Sequence, residues 1–188
     1  MIWLVRHGQT DFNRDGRLQG RIDSPLTELG LSQAARVGAF FAGRIGDGGA
    51  WRLVASPLGR AAHTARIIGA ATGLTPELDE RIMELSIGSW EGLARDEIEA
   101  LRPDLAGAPF FMHSPDGEPW DVAAGRVSSF LADHQGETNV IAVSHAGCGK
   151  VIRGVQMGLS LEAVRGLDTP QDAVYALTPG AMQRHDCP

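Results

Sequence analysis

The chain has 188 residues, 43% of them hydrophobic and 21% charged, which suits one compact domain over residues 1–188 with a sizeable core. Its net charge of -6, with histidine neutral, argues against a nucleic-acid partner, so any strong positive site has to be local. No run approaches the roughly 20 apolar residues that a membrane span needs. The start, residues 1–6, has no basic leader, and Cys148 and Cys187 match no metal or redox spacing, so a cytoplasmic, reducing setting is expected.

Residues 2–5 (IWLV) form a short apolar run, the mark of a buried strand. A helical pattern follows over residues 27–45, with Thr27 as N-cap and an apolar stripe of Leu29, Ala34, Val37, Phe40 and Phe41. Gly46, Gly48 and Gly49 are expected to end it. Residues 52–56 make a second strand. Pro57 then opens a helix that Gly73 stops. The stretch from 75 to 92 is loop-rich, residues 95–101 form a short helix, and residues 103–119 are irregular, with prolines at 103, 109, 115 and 119. Helix resumes over 120–133, with Pro119 suited to a first helical position.

Residues 140–144 (VIAVS) are the clearest strand in the chain and run through His145 into a helix that carries Val151, Ile152 and Val155. Residues 173–177 are expected to be a last, edge strand. Alternating strands and helices predict an α/β fold, with a mainly parallel sheet covered by helices on both faces. Such sheets bind ligands beyond the carboxyl ends of their strands. Three strands end in polar groups there: Arg6-His7, then Ser56 with Arg60 a turn later, then His145.

Arg6 and Arg60 would grip oxyanions in a planar fork. The N-terminus of the helix after His145 would add free N–H groups and partial positive charge. This is a pocket for a phosphoryl group. There is no Gly-rich Walker loop and no acidic cluster resembling a magnesium site, so neither metal nor cofactor is expected. A neutral His7 or His145 offers a lone pair to phosphorus, and a phosphohistidine divides the transfer into two easier steps. A leaving alkoxide needs a proton. Glu84, in "ERIMELSIGSWEG", is the candidate, with Glu80 and Glu91 nearby.

Four blocks carry a family resemblance. They are "LVRHGQTDFNRDGRLQGRIDSPLTELGLSQA" (4–34), "ASPLGRAAHTA" (55–65), "ERIMELSIGSWEG" (80–92) and "VIAVSHAG" (140–147). In this order and spacing the sequence resembles the histidine phosphatase superfamily, the phosphoglycerate mutase-like enzymes. The resemblance implies a three-layer α/β/α sandwich of the phosphoglycerate mutase-like type. It implies His7 as the nucleophile, Arg6, Arg60 and His145 as holders of the phosphoryl oxygens, and Glu84 as the acid and then the base. It also implies that Asn13, Gln19, Gly20 and the backbone of Ala146 contact substrate.

Mutases of the superfamily usually have Gly-Trp where this chain has Gln19-Gly20, and Tyr-Gly-x-Leu-x-Gly where it has residues 86–92. The resemblance therefore implies a hydrolase of small phosphate esters. The competing readings are a cofactor-dependent phosphoglycerate mutase and a catalytically silent phospho-ligand binder. His63, often Gln in relatives, and His113 read as ordinary helix and loop residues. Trp90 and Trp120 read as packing residues, with the mouth of a pocket as the alternative place for either. Arg14, Arg17 and Arg21 read equally as a positive rim that steers phosphate esters or as a solvated loop. The natural ester and the oligomeric state have no readable signature.

Overall fold

The computed structural model describes residues 1–46, 49–107, 110, 112–136 and 138–187. Gly48 and Pro109, expected to end a helix and to break a loop, lie outside the described residues. Six strands form one sheet: β1 (Ile2–Arg6), β2 (Trp51–Ala55), β3 (Pro76–Leu78), β4 (Asn139–Ser144), β5 (Ala173–Thr178) and β6 (Ala181–Asp186). Their order is β3-β2-β4-β1-β5-β6. The first four run parallel, while β5 and β6 are antiparallel to their neighbours. The fold is α/β, with a mainly parallel sheet covered by helices on both faces, as expected.

Side chains alternate across the sheet, so each strand feeds two cores. On one face Val5, Leu53, Ala55, Ile141 and Val143 pack under α2 (Glu28–Ala42) and α3 (Gly59–Thr72). On the other, Leu4, Val54, Val140 and Ala142 pack under α5 (Trp120–Asp133) and α6 (Ala146–Met157). Three short helices, α1 (Asp11–Arg14), α4 (Arg95–Leu101) and α7 (Leu161–Arg165), lie outside these layers. Trp90, Ile98, Leu105 and Phe110 form a small third cluster under the segment between β3 and α5.

Several expectations need correction. Residues 173–177 are not an edge strand: β5 is buried between β1 and β6, and β6 takes the edge. The stretch from 75 holds a three-residue strand. Helix α2 stops at Gly43, short of Ile45, and Leu29 faces solvent at 47% exposure, outside the buried stripe. Pro57 precedes α3 by two residues, and Pro119 is the N-cap of α5, one position before its first turn. Thr27 caps α2 as expected, accepting from the Gly30 N–H at 3.1 Å.

Candidate active site

Strand register brings the polar tips together. Arg6 pairs with Ser144 across β1 and β4, and Ala55 pairs with Val143 across β2 and β4. Arg6-His7, Ser56 and His145 therefore leave the same edge of the sheet. There they meet a cavity of about 240 Å³. Arg6, His7, Asn13, Gln19, Gly20, Arg60, Glu84 and Ala146 all line it. His145 is not among the lining residues, but its ring centroid is 5.2 Å from that of His7.

Geometry settles the tautomer of His7. Its Nδ1 is 2.8 Å from the Gly8 carbonyl oxygen, which can only accept, so Nδ1 carries the proton. Nε2 then holds the lone pair, and Arg60 Nε donates to it from 3.2 Å. Burial, followed by the charges of Arg6 and Arg60, holds the imidazole well below its ordinary value of 6.5, so it is neutral at physiological pH. His145 is likewise lowered, by burial and then by Arg60. Its Nε2 pairs with Ser56 Oγ at 2.7 Å.

Gly8 lies where the loop after β1 crosses the first turn of α2. A Cβ on Gly8 would strike the Gly30 carbonyl oxygen, and one on Gly30 would strike that of Gln9. Two glycines thus let backbone touch backbone and set the height of the His7 ring above the sheet edge. The Gly8 N–H donates to Thr64 Oγ1 at 3.1 Å.

The two arginines are held differently. Nη1 of Arg60 donates to the Ile22 carbonyl at 2.9 Å and to Asp23 Oδ1 at 3.1 Å, while Nη2 donates to the Gly20 carbonyl at 2.7 Å. Most of its fork is thus committed to the protein. Asp23 also accepts from the Gly59 and Arg60 N–H groups, capping α3, whose own N-cap residue Leu58 supplies no side-chain bond. Arg6 donates through Nη1 to the Thr169 carbonyl at 2.5 Å. Its Nε is buried with no protein partner. Burial pushes its pKa down to about 10, with the Glu84 carboxylate opposing, so it stays charged at neutral pH.

Glu84 sits at the start of α6, accepting from the Gly147 N–H at 3.1 Å and the Cys148 N–H at 2.7 Å. Helix α6 has no side-chain cap from His145, and the carboxylate takes that place. Gln19 donates to Thr10 Oγ1 at 2.7 Å, and its Oε1 is buried and unpartnered, as is Nδ1 of His145. Gly20 has φ +54, and a Cβ there would meet the Glu91 carboxylate. Asn13 Oδ1 accepts from the Thr10 N–H and from Gln171 Nε2, the latter at 3.0 Å.

Sequence reasoning missed four residues that position the site. Asp23 and Thr64 stand inside two of the motif blocks; Thr64, one helical turn after Arg60, had a usable local signal, whereas Asp23 is 37 residues away. Gln171, which donates to the His7 carbonyl at 3.1 Å, and Thr169 come from the approach to β5 and left no local trace. The positive rim is not free. Arg14 pairs with Asp11 and Asp15, Arg17 with Glu97 and Arg21 with Glu118, and only Arg17 of the three lines the cavity. Trp90 is buried in the third cluster, and Cys148 and Cys187 are buried free thiols. Among the described residues, no helix is long and apolar enough to cross a membrane, and no group of three His, Cys, Asp or Glu side chains is placed to hold a metal.

The family model for "Histidine phosphatase superfamily (branch 1)" matches residues 2–185. The chain belongs to the histidine phosphatase superfamily. A curated superfamily relative, "Probable phosphoglycerate mutase GpmB" of Enterobacter sp. (strain 638), is 36% identical, covering 98% of this chain and 84% of its own. The solved structure of "Mycobacterial hydrolase 1" superposes with a TM-score of 0.81 at 28% identity, over 93% of this chain and 89% of that one. Mycobacterial glucosyl-3-phosphoglycerate phosphatase in complex with VO3 gives a TM-score of 0.78 at 27% identity, over 98% and 96% of the two chains.

Proposed function

We propose that the protein is a metal-independent phosphomonoesterase that works through a phosphohistidine at His7. The observation that carries this reading is the His7 ring. Its Nδ1 is tied to a carbonyl, which leaves the lone pair on Nε2, and the ring lines the cavity together with the Arg6 and Arg60 guanidinium groups. Phosphorus would take the place of Arg60 Nε at that lone pair. Arg6 Nε and His145 Nδ1, both buried without a protein partner, would meet the phosphoryl oxygens.

In the first step the N–P bond forms and the ester P–O bond breaks, and Glu84 gives its proton to the departing alkoxide. In the second, water loses a proton to Glu84 and attacks phosphorus, and the N–P bond breaks to release inorganic phosphate. Asn13 and Gln19, which line the cavity, would contact the same group, and Ala146 would offer its backbone. Gly20 acts through its carbonyl, which holds Arg60.

The departures at Gln19-Gly20 and residues 86–92 and the solved phosphatase neighbour support hydrolysis. A phosphoglycerate mutase is the second reading, supported by the name of the 36% identical relative. Quenching the enzyme in alkaline SDS during turnover of 32P-labelled ester, in EDTA, is the test. A base-stable, acid-labile label on His7 is expected. Its absence, or turnover only after a divalent metal is added, would overturn the reading. Incubation with 3-phosphoglycerate and its bisphosphate separates the two outcomes: isomer formed faster than phosphate would favour the mutase.

A further inference from the structure

Polar groups make only part of the cavity lining. The rest includes an apolar wall of Leu18, Leu85, Ile87, Phe110 and Met112. Leu18, Ile87 and Phe110 belong to the cluster around Trp90 and Ile98, while Leu85 and Met112 join the core under α5 and α6. The wall is therefore the inner face of packed apolar structure. Met112 has φ +57, the one non-glycine among the described residues in the left-handed region. A backbone held this way beside a binding cavity is a place where strain serves a site, and a thioether adapts to varied apolar shapes.

The charges near this wall are already engaged. Arg17 Nη1 donates to the Gly92 carbonyl at 2.8 Å and lies 3.5 Å from Glu97. Arg95 stacks over the Phe110 ring at 4.1 Å and does not line the cavity. Glu84 also lines the cavity, and its carboxyl offers no positive charge to a second anion in either protonation state.

We propose that this site takes phosphate monoesters whose alcohol is apolar and uncharged, aryl or alkyl, in preference to esters of hydroxy acids. This rests on the phosphomonoesterase reading above. A carboxylate on the leaving group would be desolvated against five apolar side chains, and among the described residues the arginines lining the cavity are Arg6 and Arg60 at the phosphoryl end and Arg17, which Gly92 and Glu97 hold. An alkyl or aryl group gains from leaving water there.

The test uses n-alkyl phosphates from ethyl to octyl, whose leaving groups have nearly the same basicity, so that only apolar area changes. We expect kcat/KM to rise about three-fold per methylene until the wall is covered. The ω-carboxyalkyl phosphate of matching length should lose at least about ten-fold. The same series of alkylphosphonates, measured by calorimetric Kd, reads the wall whether or not the protein turns over. A flat phosphonate series, or tighter binding of the carboxylated members, overturns the proposal. Turnover of p-nitrophenyl phosphate with a flat alkyl series overturns the substrate class alone. Rising phosphonate affinity with no turnover of any ester supports the wall and overturns the phosphatase reading. In Leu18→Lys the preference for alkyl over carboxyalkyl members should shrink at least about five-fold, and an unchanged ratio counts against the wall.

Discussion

Arg60 Nε lies 3.2 Å from His7 Nε2, and the rest of the same guanidinium is anchored to Gly20, Ile22 and Asp23. The planar fork thus places a fixed cation against the reacting nitrogen through contacts that an ammonium cannot reproduce. Arg60→Lys keeps the charge but leaves buried carbonyls unpaired. Its kcat on p-nitrophenyl phosphate should fall about 100-fold or more, and its unfolding free energy by about 2 kcal/mol. Steady-state kinetics beside urea denaturation checks both. Near-wild-type turnover in a stable Arg60→Lys protein would refute the role.

Glu84 caps α6 through the Gly147 and Cys148 N–H groups. Glutamine keeps a carbonyl oxygen for that cap but cannot give up a proton. Glu84→Gln should slow alkyl phosphates about 100-fold more than p-nitrophenyl phosphate, whose leaving group departs unaided. Equal losses on both esters would show that Glu84 is not the acid.

His7 and His145 are both buried and held well below 6.5, by desolvation first and by the arginines next. Below pH 6.5 the unfolded chain protonates these rings while the native state leaves them neutral. Their contribution is therefore fully present above pH 6.5 and lost as pH falls toward the folded values. His134 and His113 are lowered in the same direction. Each buried ring should remove about 1.4 kcal/mol of stability per pH unit below 6.5. Urea midpoints at pH 7.5, 6.5 and 5.5 would show the fall, and His7→Gln should have a shallower one. A midpoint that stays flat from 7.5 to 5.5 contradicts the buried, neutral state of both rings.

Much of this site could be read from the chain because its key groups sit at the ends of strong apolar runs. Arg6-His7 closes β1, and His145 follows β4, whose residues 140–143 are all apolar. Edge structure left no such mark. Strand β6 reads AMQRHD and is mostly exposed, because it pairs on one side only, with β5. Strand β3 has three residues and starts with proline. Glu84 was legible as a candidate, but its seat on α6 was not, because the two meet only through the packing of distant segments. The same holds for Gln171, whose two partners lie 158 and 164 residues away in the chain.

Gln171 Nε2 ties the His7 carbonyl to Asn13 Oδ1, at 3.1 and 3.0 Å. Gln171→Ala removes both ties without touching the nucleophile's ring. It should lower kcat/KM about ten-fold, through misplacement of His7, and cost about 1 kcal/mol of stability. Gln171→Glu cannot donate as the amide does and should not rescue. Full activity in Gln171→Ala would show that the loop before β5 plays no part in placing His7.

The contact between Gly8 and the first turn of α2 sets one bank of the cavity apart in kind from the other. On one bank, the position of His7 is written in main-chain atoms, and any added carbon would wedge the strand tip away from the helix. On the other bank, the surface is made of interchangeable apolar side chains. New alcohols can be accommodated by repainting the second bank while the first keeps the same grip on phosphorus.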